Sequence, residues 1–134
     1  MIVVDTQLCV YTTIPLPESA LARQVFQMDP EWAVPFLWRS EFRSAMLGYI
    51  RTGRATIHEA ESAFEIASGF VAGREHHVNT RQLLALSAGN RITAYDLEFV
   101  TLAQELDVPL VTFDREVLRA FPALAVHPAE FSPA

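Results

Sequence analysis

Three features of this 134-residue sequence predict an α/β fold with a central, mostly parallel sheet. Short β-branched or apolar runs alternate with segments of helical periodicity, as crossover helices between parallel strands produce. Acidic residues stand just beyond two of those runs, where open α/β sheets form their ligand crevice. Hydrophobic residues make up 51% and charged residues 19%, a globular rather than a disordered composition. The length suits one domain over residues 1–134. A chain of this size buries roughly 68% of its unfolded surface, enough for a core without staples.

The elements follow in order. Ile2–Val4 is a short β-branched run ending at Asp5, the expected first strand. Pro15 and Pro17 break the segment after it. Glu18–Met28 carries a helical stripe through Leu21, Val25 and Met28. Ala33-Val34 is a second strand, closed by Pro35. Phe36–Arg51 reads as a helix with its stripe at Trp38, Phe42, Ala45, Met46 and Tyr49, stopped by Gly53. Thr56 caps a helix running to Val71, with Glu59 three residues on as the other half of a capping box. Glu75–Val78 is a short strand, and Thr80–Ser87 a helix stopped by Gly89-Asn90. Ile92–Ala94 leads into a helix over Tyr95–Leu106. Pro109–Phe113 is the strongest strand, Asp114 opens a short helix to Phe121, and Ala125–His127 is an edge strand.

Composition removes several classes of chemistry. No apolar run approaches the ~18 residues of a membrane helix. Met1-Ile2-Val3-Val4-Asp5 lacks the basic region of a signal peptide, so a soluble, cytoplasmic protein is expected. The single cysteine, Cys9, forms no internal disulfide and no zinc cluster, and its apolar neighbours predict a small buried side chain. All ten basic residues are Arg. Without Lys there is no Schiff base and no P-loop. The formal charge of -6 disfavours broad nucleic-acid binding through overall charge, but not a local Arg groove beside an acidic site.

Four acids stand out. Asp5 and Asp114 lie just past strand ends, where each is also a favoured helix N-cap. At 100° per residue, Asp96 falls on the buried stripe of its helix with Phe99, Val100 and Ala103, while Glu98 and Glu105 fall on the opposite, polar face. Glu41 lies about 60° from Trp38 and about 40° from Ala45, at the border of the apolar stripe. It shares its side with Ser44 and Gly48, which leave room. Packed together without cations, four carboxylates repel and some protonate. Mg²⁺ or Mn²⁺ resolves that conflict, since both favour carboxylate and water ligands. Such a site can activate water and neutralise a phosphodiester transition state.

These residues resemble the PIN-domain nucleases, and among them the VapC-type toxins of bacterial toxin–antitoxin pairs. The matching stretches are Ile2-Val3-Val4-Asp5-Thr6, Ser40-Glu41-Phe42, Thr93 to Ala103 around Asp96, and Pro109-Leu110-Val111-Thr112-Phe113-Asp114-Arg115. The family pattern is an N-terminal Asp, a helical Glu, an Asp opening a late helix and an Asp in Thr-x-Asp, which fall on Asp5, Glu41, Asp96 and Asp114. The resemblance implies a three-layer α/β/α sandwich and Mg²⁺- or Mn²⁺-dependent RNA cleavage with those acids as catalytic and metal-binding residues. It also implies a homodimer and a small antitoxin partner. Thr112 matches the family's hydroxyl near the metal, and Thr6 the residue after the first Asp. Gln7 and Ser44 stand where many members carry Asn, and Ser44 is kept as a supporting residue.

Arg43 and Arg115 are the cations nearest the acids in sequence and the candidates for RNA phosphate. The adjacent His76 and His77 would face opposite sides of a strand and cannot share a metal. Trp32, Trp38 and the Phe residues are expected in the core. The helix from Thr56 carries an apolar face suited to the core, a dimer or an antitoxin groove. Two other classes remain open: the same fold as a binding module without catalysis, and an unrelated α/β phosphotransfer enzyme with an Asp nucleophile.

Overall fold

The computed structural model describes residues 1–133. Among them run β1 (Ile2–Val4), α1 (Thr6–Thr13), α2 (Ser19–Met28), β2 (Trp32–Pro35), α3 (Trp38–Arg51), α4 (Ile57–Phe70), β3 (Glu75–His76), α5 (Thr80–Leu86), α6 (Ala94–Leu106), β4 (Leu110–Val111), α7 (Arg115–Ala120) and β5 (Ala125–Val126), with a 3₁₀ turn at Pro128–Glu130. The strands form one sheet in the order β3-β2-β1-β4-β5, and every pairing is parallel. The expected mostly parallel α/β architecture is therefore the one observed.

The strand order positions the site. The chain runs outward from β1 to β3 and then crosses to β4 on the other side of β1. The connections diverge between β1 and β4, which opens a crevice at the carboxyl ends of those two strands. Val4 pairs with Val111, so Asp5 and Thr112 come next, side by side, at the crevice floor. The Asp5 N–H donates to the Val111 carbonyl at 3.3 Å.

β1 is buried throughout, as a central parallel strand must be. Trp32, Trp38 and Phe42 are fully buried. Trp38 stacks on Phe64 at 5.3 Å and Phe42 meets both rings edge-on, locking α3 to α4. Burying an aromatic of this size stabilises the fold by about 5 kcal/mol from area alone. The indole N–H groups are satisfied: Trp32 donates to the Asp29 carbonyl at 2.8 Å and Trp38 to Glu75 at 2.7 Å. Arg39 grips the same Glu75 carboxylate through two nitrogens, which ties α3 to the edge strand β3.

The expected capping box of α4 is present, with Thr56 and Glu59 exchanging both bonds. Thr56→Ala removes one of them at an exposed helix end, so a loss of about 1 kcal/mol in urea denaturation is expected, with no change in the site.

Two elements differ from the sequence reading. Thr6–Thr13 is a helix, although Pro15 and Pro17 marked this region as a break. The prolines stop the helix, but Asp5 starts it: the Asp5 side chain accepts from the Leu8 N–H. In α6, the expected stripe at Phe99, Val100 and Ala103 is buried, but so are Leu97, Thr101 and Leu102. The helix packs on β1, β2 and β4 and has α5 against it, so it has less solvent face than its polar residues suggested. Glu98 is accordingly part-buried rather than on a solvent face. No helix among the described residues is long and apolar enough to cross a membrane.

Candidate active site

A cleft of about 590 Å³ opens at the strand switch point. Its lining includes all four singled-out acids, Asp5, Glu41, Asp96 and Asp114, together with Thr6, Ser44 and Thr112. Residues separated by up to 109 positions thus share one concavity. Phe99, Leu110, Phe113 and Val117 give it an apolar side.

Each acid stands at a helix N-terminus. Asp5 caps α1 and Asp114 caps α7, the latter accepting from the Glu116 and Val117 N–H groups at 2.9 and 3.0 Å. Glu41 lies in the first turn of α3 and Asp96 in that of α6. Helices that leave the carboxyl ends of parallel strands bring their positive ends to the crevice, which offsets part of the cost of gathering four negative charges.

Hydroxyls hold two of the carboxylates. Thr6, buried, donates to Glu41 Oε1 at 2.7 Å. Thr112, also buried, donates to Asp5 Oδ2 and accepts from the Asp114 N–H at 3.0 Å. Thr112 therefore joins the first and last acids through one oxygen. Thr112→Val keeps the shape and removes this link, leaving the Asp114 N–H without its acceptor. A loss of about 1–2 kcal/mol in stability is expected.

The electrostatics are strained in one direction. Burial pushes the Asp5 carboxyl up to about 6, and the Asp114 charge adds to this, against the hydrogen bonds from Thr112, Leu8 and Phe113. Burial also raises Glu41, with further contributions from Asp96 and Glu98, while Thr6 pulls the other way. Burial raises Asp96 too, followed by the Asp114 charge. Glu98 thus contributes charge to the Glu41 neighbourhood despite its expected place on the polar face. A cleft whose carboxylates are pushed toward protonation is short of positive charge.

The donor set decides which cation fits. The cleft offers carboxylate and hydroxyl oxygens, with no Cys or His in its lining. That is the donor chemistry of a hard divalent ion such as Mg²⁺ or Mn²⁺. As they stand, no three His, Cys, Asp or Glu side chains among the described residues are grouped closely enough to hold a metal between them. Asp5, Glu41 and Asp114 each turn an oxygen to a hydroxyl or amide donor.

The family match spans residues 2–123, from the first strand to beyond the last of the four acids. This chain belongs to the PIN domain family. Its fold is shared with FitAcB from Neisseria gonorrhoeae, at a TM-score of 0.70 and 16% identity, covering 98% of this chain and 100% of that one. A toxin–antitoxin complex from Klebsiella pneumoniae matches at 0.66 and 14% identity, over 99% of this chain and 100% of that one. FitAB bound to a DNA fragment matches at 0.69 and 16%, over 99% of both chains. No curated protein matches the sequence.

Other residues of this PIN domain depart from the sequence reading. Arg43 does not line the acid cleft; its guanidinium lies 4.9 Å from the centre of the Phe64 ring, in a groove between α3 and α4. Arg115 is exposed and is not in the cleft lining either. Gln7 and Tyr11 do line it, both carried by the helix that the prolines concealed. Tyr11 meets Phe113 edge-on at 5.2 Å. Cys9 is fully buried, and burial followed by the Asp5 charge raises its thiol pKa, which leaves it inert as a nucleophile.

Proposed function

We propose that this PIN domain is a divalent-metal-dependent endoribonuclease, hydrolysing RNA phosphodiester bonds as the toxin of a toxin–antitoxin pair. The observation that carries the reading is the convergence of Asp5, Glu41, Asp96 and Asp114 on one cleft at the strand switch point. In this reading Asp5, Asp96 and Asp114 hold Mg²⁺ or Mn²⁺, and Glu41 completes the site. A bound divalent ion lowers the pKa of water and neutralises charge developing on phosphoryl oxygens. The chain's own residues do the rest. Thr112 fixes the Asp5 carboxylate and Thr6 fixes Glu41 Oε1, which leaves Glu41 Oε2 to orient and deprotonate the attacking water. The apolar side of the cleft lowers the local dielectric and strengthens each of these interactions.

The toxin assignment draws support from a structural neighbour that is itself described as a toxin–antitoxin complex. A small antitoxin and a homodimer belong to the same reading. The apolar groove of about 380 Å³ between α3 and α4, with Met46, Leu47, Ile50 and Ile57 in its lining, is the surface we assign to an antitoxin helix.

The test is to incubate the purified protein, stripped of any partner, with a mixed pool of structured RNAs in Mg²⁺, in Mn²⁺ and in EDTA. Discrete cuts in the metal arms alone are the expected result. A folded, metal-binding protein that leaves the pool intact would point to a narrow substrate missing from it, and no cuts together with no metal binding would favour the binding module instead.

A further inference from the structure

The acid cleft continues into a second cavity of about 430 Å³ that shares Gln7, Ser44 and Ala45 with it and extends to Tyr49 and Arg54. We infer that this channel holds the stretch of single-stranded RNA flanking the scissile phosphate, with Arg54 on a backbone phosphate and Tyr49 as a stacking surface for a base. The inference rests on the nuclease reading of the acid cleft.

Charge gives the first argument. A strand entering the acid cleft meets four carboxylates and no Arg, because none lines it. Its phosphates must be held next door. Arg54 is the one cation in the lining of either connected cavity, and it belongs to no ion pair among the described residues. The rival candidates lie elsewhere: Arg43 is over Phe64 in a different groove, and Arg39 is taken by Glu75.

Shape gives the second. The channel floor is the face of α3 that continues from Glu41 through Ser44, Ala45 and Gly48 to Thr52. A Cβ built at Gly48 meets nothing within 4 Å, so the space above it is open. Beyond Thr52 the chain reverses at Gly53, whose φ of +75° suits glycine. The Arg54 N–H then donates to the Tyr49 carbonyl at 2.8 Å. The turn therefore fixes the base of the Arg54 side chain beside Tyr49. A cavity of this volume has room for about one or two nucleotides. A cation and an aromatic side chain lining one cavity are the usual platform for an unpaired strand, and the Tyr49 ring is only part-buried against the core.

The experiment measures binding of a fluorescein-labelled, mixed-sequence RNA 12-mer by anisotropy in Mg²⁺ across a salt series. The parent is the full chain carrying Asp96→Asn, so that RNA survives. Arg54→Gln should weaken binding five- to tenfold and reduce the slope of log affinity against log salt by about 0.7, the loss of one phosphate contact to a single strand. Gly48→Leu, a substitution the open helix surface accepts, should weaken binding with the salt slope unchanged. Arg81→Gln on α5, which lines neither cavity, controls for net charge and should leave the slope as it is. Melting curves confirm that each variant folds. Binding and slopes equal to the parent in both channel variants overturn the channel, and so does a parent that binds no RNA. Wild-type cleavage, measured separately, decides the nuclease reading. Channel-dependent binding without cleavage keeps the channel and removes the nuclease; cleavage with channel-independent binding does the reverse.

Discussion

Asp96→Asn and Asp5→Asn, each made singly, are expected to lower RNA cleavage by about 10²–10³-fold while the protein stays folded. The two changes remove a negative charge and almost no volume. Asn is as good an N-cap as Asp, so the bond from the Leu8 N–H to residue 5 survives in Asp5→Asn. Both positions carry carboxyls that burial raises, so neutralising them relieves repulsion with Asp114 instead of breaking an ion pair. Asp96→Asn should therefore melt no earlier than the wild type, while Asp5→Asn stays folded but gives up the Thr112 bond to Oδ2 against the repulsion it relieves. Single-turnover cleavage beside thermal unfolding checks both halves. A well-folded Asp96→Asn protein with full activity would remove Asp96 from the site.

The second large effect is on stability. In the metal-free protein the Asp5 carboxyl titrates near 6 when folded and near its ordinary 3.8 when unfolded. Between those values the folded state holds a proton that the unfolded state has released. Stability from this group is therefore full below about pH 4 and falls as pH rises toward 6 and above. The shift corresponds to about 2–3 kcal/mol, or roughly 10 °C in melting temperature for a chain of this size. Glu41 and Asp96 are raised as well and push the same way. Glu75, held low chiefly by its bond from Arg39, acts oppositely, but only as pH drops below the ordinary carboxylate range. Comparing wild type with Asp5→Asn from pH 4 to 8 in EDTA isolates the Asp5 contribution. The variant should gain on the wild type as pH rises. Saturating Mn²⁺ should cancel that gain, because the ion binds the ionised carboxylate that burial disfavours. A difference between the two proteins that stays flat with pH contradicts the account. Cleavage, by the same logic, should decline at low pH, where protons compete with the ion for these carboxylates.

The four acids were legible because each obeys a local rule. Asp5 and Asp114 follow strands, and helical arithmetic placed Asp96 on a buried stripe where a charge needs a reason. Glu41 was readable for the same cause, with small residues beside it. The first helix was not. Thr6–Thr13 is rich in β-branched residues, and Thr6, Leu8, Cys9 and Val10 bury more than one of its sides, which erases amphipathic periodicity. Its start depends on one cap bond from the Leu8 N–H to Asp5, a residue more conspicuous as a candidate ligand. Missing α1 meant missing Tyr11 in the cleft. Glu98 went wrong because a helix packed on three strands and flanked by another helix has little polar face left. The cations were misplaced for a plainer reason. Arg43 and Arg115 are near the acids along the chain, whereas Arg54 reaches the channel through a turn whose direction is set by Gly53.

The central claim is that carboxylates scattered through the chain act as one divalent metal site. Anomalous diffraction from crystals soaked in Mn²⁺ tests it most directly. The account predicts a peak in the cleft, with oxygens of Asp5, Asp96 and Asp114 drawn to it directly or through water, and no such peak in Asp96→Asn crystals. A well-diffracting wild-type crystal with no manganese in the cleft, or with its manganese bound elsewhere, would contradict it.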